Sequence, residues 1–91
     1  MRYNVYFDTD NYKKFCADGR NIKSDLICDT DDNETANAVF EKYCRRAASK
    51  ALEDKDCTRF NVHIIDGWQT TYTKNFYSRR WMREVGRLEN E

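Results

Sequence analysis

Apolar and polar residues alternate along four stretches of the chain and recur every three or four residues along two others. The opening RYNVYF sets Tyr3, Val5 and Phe7 on one side and Arg2, Asn4 and Tyr6 on the other, the period of a half-buried strand. Residues 21–28, NIKSDLIC, place Ile22, Leu26 and Cys28 on one face and Lys23, Asp25 and Ile27 on the other, predicting a second strand. The stretch between them fits two structures. Tyr12, Phe15 and Cys16 suit a short helix between Asp10 and Gly19, while Ala17-Asp18-Gly19-Arg20 suits the turn of a hairpin; extended structure is the expectation there.

A helix of about twenty residues follows, with Ala36, Phe40, Tyr43, Cys44, Ala47 and Ala51 on one side at the spacing of an amphipathic helix. Thr30 or Asp31 is placed to accept hydrogen bonds from the free amides of its first turn, where Asp31, Asp32 and Glu34 also put negative charge at the positive end of the helix dipole. The small Ala47, Ala48 and Ala51 allow close approach to a sheet, and Phe40 and Tyr43 fill the wider end.

Two more strands surround Asp66-Gly67. A two-residue turn at that pair would set Phe60, Val62 and Ile64 beside Gln69, Thr71 and Thr73, mixing apolar and polar residues on one face. A three-residue loop of Ile65, Asp66 and Gly67 pairs Ile64 with Trp68, Val62 with Thr70 and Phe60 with Tyr72 instead. That register predicts a buried face of Phe60, Val62, Ile64, Trp68, Tyr72 and Phe76. The opposite face is then Asn61, His63, Gln69, Thr71, Thr73 and Asn75. The chain closes with a short helix capped by Ser78, its apolar side formed by Trp81, Met82, Val85 and Leu88 and its other side by Arg79, Arg80, Arg83 and Arg87. The fold expected is a single α+β domain over residues 1–91, in ββαββα order: an antiparallel sheet of about four strands, the long helix on one face and a short C-terminal helix.

Composition narrows the function. With 40% apolar and 35% charged residues, two tryptophans, six tyrosines and five phenylalanines, the chain is globular rather than disordered. Its formal charge of zero removes the global attraction to nucleic acid or membrane that a basic protein has. No run is long enough to span a bilayer and no signal-peptide core opens the chain, so a cytoplasmic protein without membrane contact is expected. Cys16, Cys28, Cys44 and Cys57 show no close pairing and are read as free thiols. With one histidine and no CxxC pair, no metal site and no cofactor is expected.

His63 with Asp66 and Cys57 or Tyr72 is the one set considered for catalysis, and nothing in the spacing brings a nucleophile to the imidazole, so no enzyme is expected. Binding is the better reading. Arg79, Arg80, Arg83 and Arg87, with the hydroxyls and amide of Gln69, Thr71 and Thr73, form the candidate surface for a protein partner. Lys42, Arg45, Arg46 and Lys50 make one wholly basic stripe on the long helix and are the alternative, for nucleic acid. A homodimeric accessory role is a third possibility. In gross character, as a small charged aromatic α+β chain without a catalytic motif, the sequence resembles the small proteins of phages and mobile elements, including anti-CRISPR proteins. The resemblance rests on no motif and carries no residue across; it implies inhibition of a host defence nuclease by occupancy.

Overall fold

The computed structural model describes residues 2–12 and 20–86. It contains, in order, strands β1 (Tyr3–Tyr12) and β2 (Arg20–Thr30), helix α1 (Asn33–Glu53), strands β3 (Thr58–Asp66) and β4 (Gln69–Tyr77), and helix α2 (Arg79–Glu84). The strands form one antiparallel sheet in the order β2-β1-β3-β4, so the ββαββα arrangement and the four-stranded sheet stand as expected. Between Asp8 and Asn21 the described residues are extended and paired, with Asn11 opposite Asn21 and Tyr12 opposite Arg20, the pattern of a hairpin; Phe15, Cys16 and Gly19 lie outside the described residues.

Helix α1 is capped by Asp32, not by Thr30 or Asp31. The Asp32 carboxylate accepts from the Thr35 amide (3.3 Å) and hydroxyl (2.6 Å), while Thr30 accepts instead from the Asp32 amide. At the other end the Asp54 amide donates to the Lys50 carbonyl at 2.9 Å. Ala36, Cys44, Ala47 and Ala51 are buried against Val5, Phe7, Phe60, Val62 and Ile64, and Val39, Phe40 and Tyr43 close the sides. Ala36, Ala47 and Ala51 allow the backbone to come close to the sheet, whereas Ala48, grouped with Ala47 and Ala51 from the sequence, is only half-buried and lies outside that core cluster.

Two bulges correct the strand phases. In β2 the register shifts between Val5 and Tyr6, with Val5 opposite Cys28 and Tyr6 opposite Leu26, so Ile27 is the additional residue. Ile22 and Leu26 therefore share the face away from α1, 61% and 54% exposed, whereas Cys28 crosses to the core face with Ile27 beside it. In β4 the shift falls between Ile64 and Ile65. Ile64 pairs with Tyr72, Val62 with Lys74 and Phe60 with Phe76, four residues away from the predicted pairing. The turn is Gly67-Trp68, flanked by Asp66 opposite Gln69; Gly67 has φ 68° and no other described residue has positive φ, the pattern of a II′ turn. Tyr72 and Phe76 keep the predicted side of the strand, but Tyr72 is 58% exposed and Trp68, expected in the core, is 96% exposed at the tip.

Helix α2 explains that register. It packs on the face opposite α1, where buried Trp81 and Val85 meet Cys57 and Tyr12, and the Trp81 ring lies 6.0 Å from that of Tyr77 and 5.7 Å from the Arg59 guanidinium. Arg59 pairs across the strands with Tyr77 and holds the buried Asp10 at 3.0 Å. Ser78 anchors the junction: its amide donates to the Thr58 carbonyl, so the end of β4 must lie beside the start of β3. Met82, predicted on the apolar side of α2, is 56% exposed, and Leu88 lies outside the described residues. Cys28, Cys44 and Cys57 are free thiols. No described helix is long and apolar enough to cross a membrane.

A candidate partner-binding surface at the hairpin tip

Strand β4 is an edge of the sheet, and every residue from Gln69 to Asn75 is exposed. Such a strand presents one side of its backbone without a ladder partner. Trp68 stands at its entry. The tip itself is held, because the Gly67 amide donates to the Arg2 carbonyl at 3.4 Å and Tyr3 pairs with Asp66. Arg2 is fixed in turn by Asp29, whose carboxylate accepts from its Nε at 2.8 Å; that hydrogen bond raises the pKa of Arg2 and lowers that of Asp29. Trp68 is therefore an exposed indole on an anchored turn.

Beside it, on the α1 side, lies a concavity of about 440 Å³ lined by Tyr3, Asn33, Asp66, Gln69, Thr71 and Tyr72. The exposed Tyr72 ring separates it from a second concavity of about 320 Å³ lined by Asn37, Phe40 and Glu41, and stands 6.2 Å from the Phe40 ring. The surface thus combines two large exposed aromatics with short amides and hydroxyls. That is the composition of a protein interface: aromatic anchors surrounded by adaptable polar groups.

The residues proposed from the sequence for a protein partner divide among three places. Gln69 and Thr71 line the tip concavity, because the β4 bulge takes them out of the predicted alternation. Thr73 is on the opposite face, where its hydroxyl accepts from the Asn61 amide at 2.8 Å. Arg79, Arg80 and Arg83 are exposed on α2, at the far end of β4 from Gln69, and Arg80 is paired with Glu84 at 3.1 Å; Arg87 lies outside the described residues. Strand β4, nine residues and about 30 Å long at the rise of a strand, lies between them, so the tip and α2 do not form one continuous patch. Sequence reasoning missed Trp68 and Tyr72 as surface residues. The signal available was Gly67-Trp68 itself, a Gly-X pair suited to a two-residue turn.

On the sheet face away from α1, His63 Nδ1 lies 2.8 Å from Asn61 Oδ1 and 3.4 Å from the Asp8 carboxylate, with Tyr6 stacked on its ring at 5.2 Å. Tyr72 is on the other face and Cys57 is buried at the α2 end, so the set weighed for catalysis does not converge. Burial also pushes the Cys57 and Cys44 thiols up, away from the reactive thiolate. Among the described residues no group of His, Cys, Asp and Glu is arranged to hold a metal ion. Lys42, Arg45, Arg46 and Lys50 are all exposed on α1, and among the described residues none of them is in an ion pair. Compared with models of protein families, with curated proteins and with solved structures, the chain matches none.

Proposed function

We propose that this protein is a non-enzymatic binding protein that acts by occupying a macromolecular partner, with Trp68 and Tyr72 at the hairpin tip as its anchors. One observation carries the reading: Trp68 is 96% exposed on a turn pinned to β1. An indole left in water on an anchored turn gains most of its available burial only when a partner covers it. Little side-chain or loop entropy is then lost, because the turn is already ordered. The open β4 edge next to it supports the same reading, since an extended segment of the partner can add to the ladder while Trp68 and Tyr72 fill pockets. A cytoplasmic place of action is part of the proposal, and the free thiols of Cys28, Cys44 and Cys57 support it. Occupying a host defence nuclease, the role that the likeness to anti-CRISPR proteins implies, is one form such action takes.

The test begins with cross-linking and mass spectrometry to identify the partner, followed by titration with purified variants. Trp68→Ala should weaken binding at least about thirtyfold, the effect of losing a hot-spot side chain worth about 2 kcal/mol. Its melting temperature should stay close to that of the wild type, because the indole makes little contact in the free protein. The charge-removing set Arg79→Ala, Arg80→Ala and Arg83→Ala tests the other end of the molecule. If that set abolishes binding and Trp68→Ala leaves it intact, the tip is not the anchor. Sedimentation of the free protein distinguishes a foreign partner from a second copy of the chain.

A further inference from the structure

The geometry points to a second, separate binding site, for single-stranded nucleic acid, in the groove between α1 and β2. Lys42, Arg46 and Lys50 follow one face of α1 at intervals of four residues with Arg45 beside them, and the stripe spans about 12 Å at the helical rise. Elsewhere several cations are neutralised close at hand: Arg2 by Asp29, Arg59 by Asp10 and Arg80 by Glu84. The α1 stripe has no such partner among the described residues. In a molecule whose formal charge is zero, it is a local field for anions.

The stripe does not end on a flat helix surface. Arg46 and Lys50 also form one wall of a groove of about 360 Å³, whose floor includes Phe7, Ile27 and Tyr43 and whose far wall on β2 carries Lys23 and Asp25. The Arg46 guanidinium lies 5.0 Å over the Tyr43 ring and the Lys50 ammonium 5.5 Å from the Phe7 ring centre. Cations and aromatic surface are thus adjacent. This is the pairing that single-strand binding uses, with basic groups along the backbone and rings for the bases. A duplex keeps its bases stacked inside and would meet only the cations, leaving the apolar floor uncovered. A single strand can turn one base off the helix face toward Tyr43, which it reaches as a phosphate draws the Arg46 guanidinium off the ring.

Asp25 gives the groove a direction. It lies 4.0 Å from Lys23, which leaves the β2 wall without net charge, so the phosphates stay with the unpaired α1 cations and the base end points toward β2. There its carboxylate can accept from the exocyclic amine of cytosine, as acidic side chains do in base recognition. This site is independent of the hairpin tip and does not rest on the tip's role.

Fluorescence anisotropy with labelled oligo-deoxycytidylate, oligo-cytidylate and a blunt DNA duplex tests the assignment, the first two distinguishing DNA from RNA as the source of the strand. Single strands should bind more tightly than the duplex, with a slope of log affinity against log salt of about −3 for four phosphate contacts. The double substitution Arg46→Ala with Lys50→Ala should reduce affinity about tenfold or more and make the slope shallower by about 1.4. Tyr43→Leu keeps apolar volume but removes the stacking ring, and should weaken single-strand binding about fivefold or more while leaving the salt slope unchanged. Far-UV circular dichroism establishes that each variant is folded. No binding at low salt, duplex binding as tight as single-strand binding, or a folded Tyr43→Leu protein that binds like the wild type overturns the proposal. Trp68→Ala should not alter oligonucleotide affinity; if it does, the two surfaces are not separate.

Discussion

Replacing Ser78 with alanine should destabilise the protein far more than a helix cap ordinarily does. Ser78 is 0% exposed and its hydroxyl serves three backbone groups: it accepts from the Trp81 amide (3.2 Å) and the Thr58 amide (3.0 Å), and donates to the Asp56 carbonyl (2.7 Å). Loss of the cap on α2 alone costs about 1 kcal/mol. The substitution also strips the buried Thr58 amide of its acceptor, and an unsatisfied buried donor costs about 1–3 kcal/mol more. The expected total is about 2–4 kcal/mol, a large part of the ~5–14 kcal/mol that a domain of this length commonly has. Asp32→Ala is the internal comparison, because Asp32 caps α1 from an exposed position where water replaces what is lost, so about 1 kcal/mol is expected. Urea unfolding followed by circular dichroism gives both values. In a Trp68→Phe background, emission from the buried Trp81 reports whether α2 stays docked, and Ser78→Ala should shift it to the red. A Ser78→Ala cost no greater than that of Asp32→Ala, or an unchanged Trp81 emission, would refute the threefold role of the Ser78 hydroxyl.

Acid should weaken the fold through two carboxylates. Asp29 and Asp32 are held below the ordinary carboxylate range, first by hydrogen bonds from Arg2 and from the Thr35 hydroxyl respectively. Their contribution is complete above the unfolded value of about 4 and is lost as pH falls through the lower folded values, because the unfolded chain then binds more protons. Both groups face solvent, so the effect is modest; urea midpoints measured across that range should fall with pH, and Asp32→Asn should flatten the decline. At the hairpin tip, Gly67→Ala meets no atom within 4 Å, yet φ 68° is disfavoured for a side-chain-bearing residue. A loss of about 1–2 kcal/mol is expected in thermal melts, with Gly67→Asn costing less; equal stability of the alanine variant would mean that the turn had changed type.

Local pattern was enough to determine the element order. The alternation of Tyr3, Val5 and Phe7, the three-and-four spacing from Ala36 to Ala51 and the alternation from Phe60 to Ile64 each follow from the geometry of one strand or helix. The structure keeps all three. The basic stripe of α1 was legible for the same reason, since residues four apart on a helix share a face whatever surrounds it. The bulges were not. Inserting Ile27 or Thr71 into a ladder changes which face every later residue meets, and the gain lies in contacts with other strands and helices. Two long-range interactions decide the position of β4: Tyr77 packs under Trp81, and the Ser78 amide bonds to the Thr58 carbonyl. Both depend on α2 lying on the face opposite α1, which no amphipathic pattern within α2 specifies. That docking draws β4 four residues along β3, and the shift carries Trp68 out of the predicted core to the exposed tip. Thus the most exposed aromatic of the candidate surface was visible in the sequence only as an apolar residue, and tertiary packing at the other end of its strand decided that it should face water.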